Sequence, residues 1–301
     1  MTSLGAPFKI YSRLPTEKAP SYSNLDKLKP LDIARLMNKE DAKVVSAVKK
    51  QLRPISKGAE MIRECLAKDG RVFLFGAGTS GRLGVLEAAE CPPTFGTHPH
   101  LIQAVIAGGK NSVFASREGA EDIPISPSIQ KILTPQDAVI GIAASGLTPF
   151  TRSALKFAKK RGCPTIFLTC NSQEAHKPSA DIVIALDVGP EIIAGSTRLK
   201  AGTATKLALN MLTTISMIGL GKTYGSWMVD LKPNSRKLKL RAVRIVSEIT
   251  QTPPDVSEEF LNKARGNAKL AILMIQKNLS LAQARQKLDE ADGFLRRALK
   301  D

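Results

Sequence analysis

The chain predicts an α/β fold of three layers, α-β-α, in which a five-stranded parallel sheet lies between helices and a small helical domain follows at the C-terminal end. Two patterns and a composition predict it. Between about residues 70 and 220, short apolar runs alternate with segments of helical spacing, the pattern of parallel strands joined by crossover helices. Apolar residues make up 43% of the 301 positions but aromatic residues only 5%, which suits an aliphatic core buried under helices on both faces. After Pro253-Pro254 the strand-like runs stop and only short helical patterns remain.

Taken in order, residues 1–30 carry little periodicity and read as an extended arm. Residues 31–68 have helical spacing, with a break expected at Pro54 because proline lacks the N–H donor, and Gly70 is the stop. Apolar runs place strands at 71–76, 101–107, 138–143, 165–169 and 182–186, with helices near 83–89, 150–160 and, longest, 197–220. Four short helical patterns close the chain, at 257–264, 268–276, 281–288 and 293–299, and Ser280 with Gln283 makes a capping box at the start of the third. The organisation expected is an arm over 1–30, the α/β domain over 31–250 and a helical appendage over 251–301.

Charge and side-chain inventory narrow the function. With 44 Lys and Arg against 27 Asp and Glu, the net charge is +17. The densest basic run, residues 232–244, has no acid and no interleaved aromatic residue, and Leu238, Ala242, Ile245 and Ile249 follow helical spacing. It reads as the solvated face of a helix, so no specific nucleic-acid partner is expected, whereas a positive field favours an anionic substrate. Cys65, Cys91, Cys163 and Cys170 show no ligand or CxxC spacing and read as reduced core residues of a cytoplasmic protein. His98, His100 and His176 do not pair with them, so no metal is expected, and no apolar run reaches the ~18 residues of a membrane span.

In open parallel sheets ligands bind beyond the carboxyl ends of the strands. The first strand runs into Gly76-Ala-Gly78-Thr79-Ser80-Gly81 and then a helix. Helix-start N–H groups, the helix dipole and two hydroxyls make this an anion site, and the glycines allow close approach of the backbone. The match to GxGxxG is weak evidence for a dinucleotide, because the second strand ends in Ala107-Gly-Gly-Lys110 without the acid that fingerprint needs. The third strand leads into Ser145-Gly146-Leu147-Thr148-Pro149, and the fifth into Gly189-Pro-Glu191 and Gly195-Ser196-Thr197. Three Gly/Ser/Thr turns opening helices at one sheet edge point to a phosphate ester. Glu90, held before Pro92-Pro93, stands one helix beyond the first turn.

With these residues assembled, the chain resembles the N-acetylmuramic acid 6-phosphate etherases, a family of the sugar isomerase (SIS) fold. The resemblance rests on Gly76-Ala-Gly-Thr-Ser-Gly-Arg-Leu-Gly84, Glu90-Cys-Pro-Pro-Thr-Phe95, Ile106-Ala-Gly-Gly109, Glu118-Gly-Ala-Glu-Asp122, Gly141-Ile-Ala-Ala-Ser-Gly146 and Gly195-Ser-Thr-Arg-Leu-Lys-Ala-Gly-Thr-Ala204, and it runs from about Leu14 to Leu299. It implies a cofactor-free lyase in which water replaces the D-lactyl ether at C3 of the sugar, giving N-acetylglucosamine 6-phosphate and D-lactate. By resemblance Glu90 is the acid that protonates the departing lactate and Glu121 the base that removes the C2 proton. The residues alone do not separate Glu121 from Glu118 or Asp122, nor Glu90 from Glu87. Gly78, Thr79, Ser80, Gly81, Ser145, Gly146, Thr148 and Ser196 would hold phosphate and sugar oxygens, and Glu191 would touch sugar hydroxyls. The resemblance also implies a homodimer with sites near the interface, and leaves open which subunit supplies Glu121. Leu147, Ala89 and Glu87 depart from the family pattern but spare both carboxylates. The alternative is a non-catalytic regulatory protein of the same fold that senses a sugar phosphate.

Overall fold

A computed structural model describes residues 13–22, 24–173 and 178–300. The parallel sheet is the one predicted, each strand within about a residue of its expected span: β1 (Val72–Gly76), β2 (Ile102–Ile106), β3 (Ala138–Ile142), β4 (Thr165–Thr169) and β5 (Ile182–Ala185), in the order β2-β1-β3-β4-β5. Val72 pairs with Ile102 on one side and Ala138 on the other. Every residue of β1, β3 and β4 is buried, which is why these strands read as unbroken apolar runs. Phe73, Phe75, Val139 and Phe167 pack on one face against Ala154, Leu155 and Ala158 of α6 (Pro149–Lys160). On the other face α2 (Leu52–Ala67) lies so close that a Cβ on Gly58 would sit 2.8 Å from Leu212 and 3.2 Å from Ile166.

Several helices differ from their sequence reading. The chain breaks at Lys50-Gln51, between α1 (Pro30–Lys49) and α2, and not at Pro54. Pro54 lies in the first turn of α2, where its missing N–H breaks no helical bond. Helix α3 (Gly78–Phe95) starts five residues earlier than expected and continues through Pro92 and Pro93. Thr79, Ser80 and Gly81 are therefore its first turn and not a loop. The long helix α7 (Lys200–Gly219) begins three residues later than expected, leaving 197–199 as a turn. Short helices α4 (Asn111–Phe114) and α5 (Pro127–Ile132) fill the connections around β2 and β3. The described part of the N-terminal arm is not loosely extended. It forms short 3₁₀ turns at Pro15–Glu17 and Leu25–Lys27, buries Leu14 and Thr16, and accepts the Gly195 N–H at the Thr16 carbonyl (2.9 Å). Residues 1–12 of the arm lie outside the described residues.

The chain forms two compact units, one of residues up to 88 with 100–213, the other of 89–99 with 214–301. Helices α3 and α7 both pass from the first unit into the second, and the sequence division at residue 250 falls inside the second. That unit holds a short hairpin, β6 (Thr223–Tyr224) with β7 (Trp227–Met228), and α8 (Arg236–Thr250), α9 (Pro254–Lys263), α10 (Ala268–Gln276), α11 (Leu281–Glu290) and α12 (Leu295–Ala298), with a core of its own that includes Val229, Ile245, Ala271 and Leu273. Ala242 and Ile245 of α8 are buried there, with Leu238 and Ile249 half-buried beside them. The Ser280–Gln283 capping box opens α11. Among the described residues no helix is long and apolar enough to cross a membrane.

Candidate active site

Between β1 and β3 the strand order reverses, and the loops leaving their carboxyl ends diverge to open a crevice. A cleft of about 320 Å³ lies there, lined wholly by residues of the first unit. The first wall exists because two glycines let α3 start directly on the sheet edge. A Cβ on Gly76 would lie 2.7 Å from the Gly81 nitrogen, and one on Gly81 would lie 2.6 Å from Ile106 Cγ1. Gly78, with φ of +51°, makes the turn. The first-turn N–H groups and the hydroxyl-bearing Thr79 and Ser80 are thereby placed at the cleft.

The second wall is the turn into α6. Gly146 takes φ of +75°, its N–H donates to the Ala143 carbonyl (3.0 Å), and its own carbonyl accepts from Arg152 Nε (2.7 Å). Asn171 Nδ2 donates to the Ser145 carbonyl (3.0 Å). The turn so braced presents Ser145 and Thr148 to the cleft, and Thr148 occupies the N-cap of α6 without its side chain capping the helix. The third wall is Gly195 and Thr197. A Cβ on Gly195 would lie 2.8 Å from Glu17 Oε2, so the glycine leaves room for that carboxylate.

Behind this wall the start of α7 is anchored by buried charge. Glu191 is fully buried and accepts the N–H groups of Lys200 (3.0 Å) and Ala201 (2.9 Å), one on each oxygen. Burial pushes its carboxyl pKa up, against the lowering effect of those N–H groups. Lys200 Nζ meets Glu40 Oε2 at 2.6 Å, and the other Glu40 oxygen accepts from Lys43 (2.5 Å) and Tyr22 (2.8 Å). Burial pushes Glu40 upward, but these three hydrogen bonds outweigh it and bring its carboxyl down to about 2.

Of the residues singled out from sequence, Gly78, Thr79, Ser80, Ser145, Thr148 and Glu121 come together at the cleft. Gly81 and Gly146 shape it from behind, Ser196 lies between two lining residues without lining it, and Glu191 serves as a helix anchor and not as a cleft residue. Glu121 sits in the 3₁₀ turn Ala120–Asp122 after Gly119, half-buried and facing the cleft. Glu118 also lines the cleft and accepts from Ser116 Oγ (2.7 Å), whereas Asp122 is exposed and does not line it. On α3, Glu87 is buried, with its carboxylate taken by Asn210 Nδ2 (2.6 Å) and the Thr213 hydroxyl. Glu90 is exposed, belongs to the second unit and is not among the cleft-lining residues.

Glu17, Arg82, Ser112, Ser116, Arg117 and Thr197 also line the cleft and were not singled out. Arg82 and Thr197 adjoin motif residues, and the Gly108-Gly109 pair, both at positive φ, marks the loop that delivers Ser112 and Arg117. Glu17 has no local signal. His98 and His100 lie exposed in the loop after α3, and His176 is outside the described residues. The four cysteines are buried thiols, and burial raises Cys65 to about 11 and Cys170 to about 12. Among the described residues no three His, Cys, Asp or Glu side chains gather as a metal site.

Two family models match the chain, one described as the glucokinase regulatory protein N-terminal SIS domain, over residues 55–159, the other as the SIS domain, over 117–215. A phosphoheptose isomerase from Francisella tularensis shares the fold, with a TM-score of 0.50 at 19% identity over 64% of this chain and all of that one. Sheet order, cleft and helix-start turns thus define a protein of the SIS class. The N-acetylmuramic acid 6-phosphate etherase of Geobacillus thermodenitrificans is 45% identical over 279 residues, 92% of this chain and 95% of that protein. Its counterpart in Clostridium beijerinckii is 46% identical over 281 residues, 92% of each. The chain belongs to the N-acetylmuramic acid 6-phosphate etherase family.

Proposed function

We propose that this chain is a carbon–oxygen lyase that cleaves the D-lactyl ether of N-acetylmuramic acid 6-phosphate to N-acetylglucosamine 6-phosphate and D-lactate. The observation that carries the reading is a cleft combining hydroxyl-bearing helix starts with the Glu121 carboxylate, in a chain about 45% identical to etherases over nine-tenths of its length. The phosphate takes the N–H groups and hydroxyls of Thr79, Ser80, Ser145 and Thr148. In the open-chain sugar the aldehyde acidifies the C2 proton. Glu121 removes it, Glu90 protonates the ether oxygen as the C3–O bond breaks, and water adds across the resulting alkene, its oxygen to C3 and a proton to C2. The reaction needs proton transfer at adjacent carbons and no net oxidation.

A homodimer fits the same reading. Phe114 is 94% exposed and Ile123 64% exposed, and they flank the loop that carries Glu118 and Glu121. Covering them with a second copy would remove apolar surface from water and shelter the loop. A sugar-phosphate substrate and four reduced thiols suit the cytoplasm. A purely regulatory role has less support, since relatives matching 92% of the chain are named etherases. The test is incubation with N-acetylmuramic acid 6-phosphate. D-lactate and N-acetylglucosamine 6-phosphate released in equal amounts support the reading, and binding without turnover by the wild-type protein overturns it in favour of a sensor.

A further inference from the structure

The substrate proposed above carries two anionic groups, a phosphate on C6 and the carboxylate of the lactyl group on C3. The helix starts at Thr79-Ser80 and Ser145-Thr148 account for one of them. The cations of the cleft lining, Arg82 and Arg117, are anchored elsewhere, on the loop after β2: Arg82 Nε donates to the Val113 carbonyl (2.9 Å), and Arg117 Nη1 to the Gly108 carbonyl (3.3 Å). Ser112, in the short helix α4 of the same connection, also lines the cleft. It is only 4% exposed, and its Oγ has no hydrogen-bond partner. A buried hydroxyl left so costs about 1–3 kcal/mol unless something else satisfies it. The Ser112 hydroxyl and the methylene stem of Arg117 both lie against Gly108. A Cβ on Gly108, whose φ is +80°, would lie 2.3 Å from Ser112 Oγ and 3.1 Å from Arg117 Cδ.

We propose that Arg117 and Ser112, gathered about Gly108, form a carboxylate subsite that holds the lactyl group and so distinguishes the ether substrate from its de-lactylated product. The proposal rests on the etherase reading. Arg117 stands four residues before Glu121 on the same loop, and the lactyl group branches from C3, next to the carbon that Glu121 deprotonates. A guanidinium and a hydroxyl supply convergent donors to a carboxylate. The cleft acids do not displace Arg117 from this role. Glu118 is engaged by Ser116, Glu17 fills the space left by Gly195 on another wall, and Glu121 is reserved for C2.

The test compares two ligands that differ in the lactyl group. Arg117→Met, by removing a charge-assisted hydrogen bond, raises KM for N-acetylmuramic acid 6-phosphate about 10- to 100-fold. The dissociation constant for N-acetylglucosamine 6-phosphate, measured by calorimetry, stays within about twofold, which also shows that the variant is folded. Arg117→Lys recovers part of the loss, and Ser112→Ala shows a smaller loss in the same direction. Equal weakening of both ligands would put Arg117 on the phosphate and overturn the subsite, as would an unchanged KM. Should the wild-type protein release no lactate, the etherase reading fails by itself, and the same comparison read as two dissociation constants still decides the carboxylate subsite.

Discussion

Glu87 and Glu90 stand three positions apart on one helix and have opposite fates. Glu87 is buried and its carboxylate is spent on Asn210 and Thr213, which ties α3 to α7. Glu90 is exposed and is not among the cleft-lining residues. Their order along the chain does not reveal this, because which carboxylate meets Asn210 depends on how two helices distant in sequence pack. Of the acids after β2, Glu118 and Glu121 line the cleft and Asp122 does not, and Glu118 accepts a hydrogen bond from Ser116. The assigned roles predict that Glu90→Gln lowers lactate release by about 10²–10⁴-fold while C2 hydrogen exchange with solvent continues, since proton abstraction precedes protonation of the leaving group. Proton NMR of the substrate in deuterated water reads both events. Lactate release at the wild-type rate would remove Glu90 from the mechanism.

At the scale of elements, strands were more legible than helix starts. Strands buried on both faces announce themselves as apolar runs bounded by turns, and all five were found. The start of α3 was not, because Gly78-Thr-Ser-Gly81 has poor helix propensity and is helical only because Gly76 and Gly81 let it rest against the sheet edge. The N-terminal segment read as an arm because its order comes from Leu14, Thr16 and the Gly195 N–H, contacts made far along the chain. The buried cluster behind α7 carries a pH consequence. Glu40 is lowered from 4.5 to about 2 in the folded protein, so the stability it contributes is present above pH 4.5 and is lost as pH falls toward 2. Asp137 and Asp181 act in the same direction. Burial raises each, but hydrogen bonds from Arg71 and Thr134, and from Lys159 and Thr165, hold them below the usual carboxylate range. Thermal denaturation is therefore expected to show Tm falling steeply below about pH 4.5, and Lys200→Met, which breaks a buried pair, to cost about 3 kcal/mol near neutral pH. A Tm independent of pH across that range, or a Lys200→Met variant as stable as wild type, would show that the cluster does not anchor α7.

At the scale of the molecule, the turns at the sheet edge pointed to the cleft that Gly78, Thr79, Ser80, Ser145 and Thr148 line, and of the two carboxylates taken from the family motifs Glu121 lines it and Glu90 does not. Glu17, Ser112 and Arg117 stayed hidden because cleft membership is a property of three dimensions. Glu17 comes from a segment without periodicity, and the other two come from a loop whose course is set by two glycines at positive φ. The net charge of +17 is spread partly over α8, where Ala242, Val243, Ile245 and Val246 face a core and the basic residues are exposed, so it reads as a solvated surface and a positive field toward a substrate with two anionic groups. What unites these parts is the proposed elimination and hydration at the sugar, with the phosphate on the helix starts and the lactyl carboxylate at Arg117 and Ser112. The most direct measurement is a single turnover experiment in heavy-oxygen water with mass analysis of both products. Elimination and hydration place the label in the C3 hydroxyl of N-acetylglucosamine 6-phosphate and leave D-lactate unlabelled. Label in the lactate would mean that water attacked the lactyl carbon directly, and would contradict the mechanism.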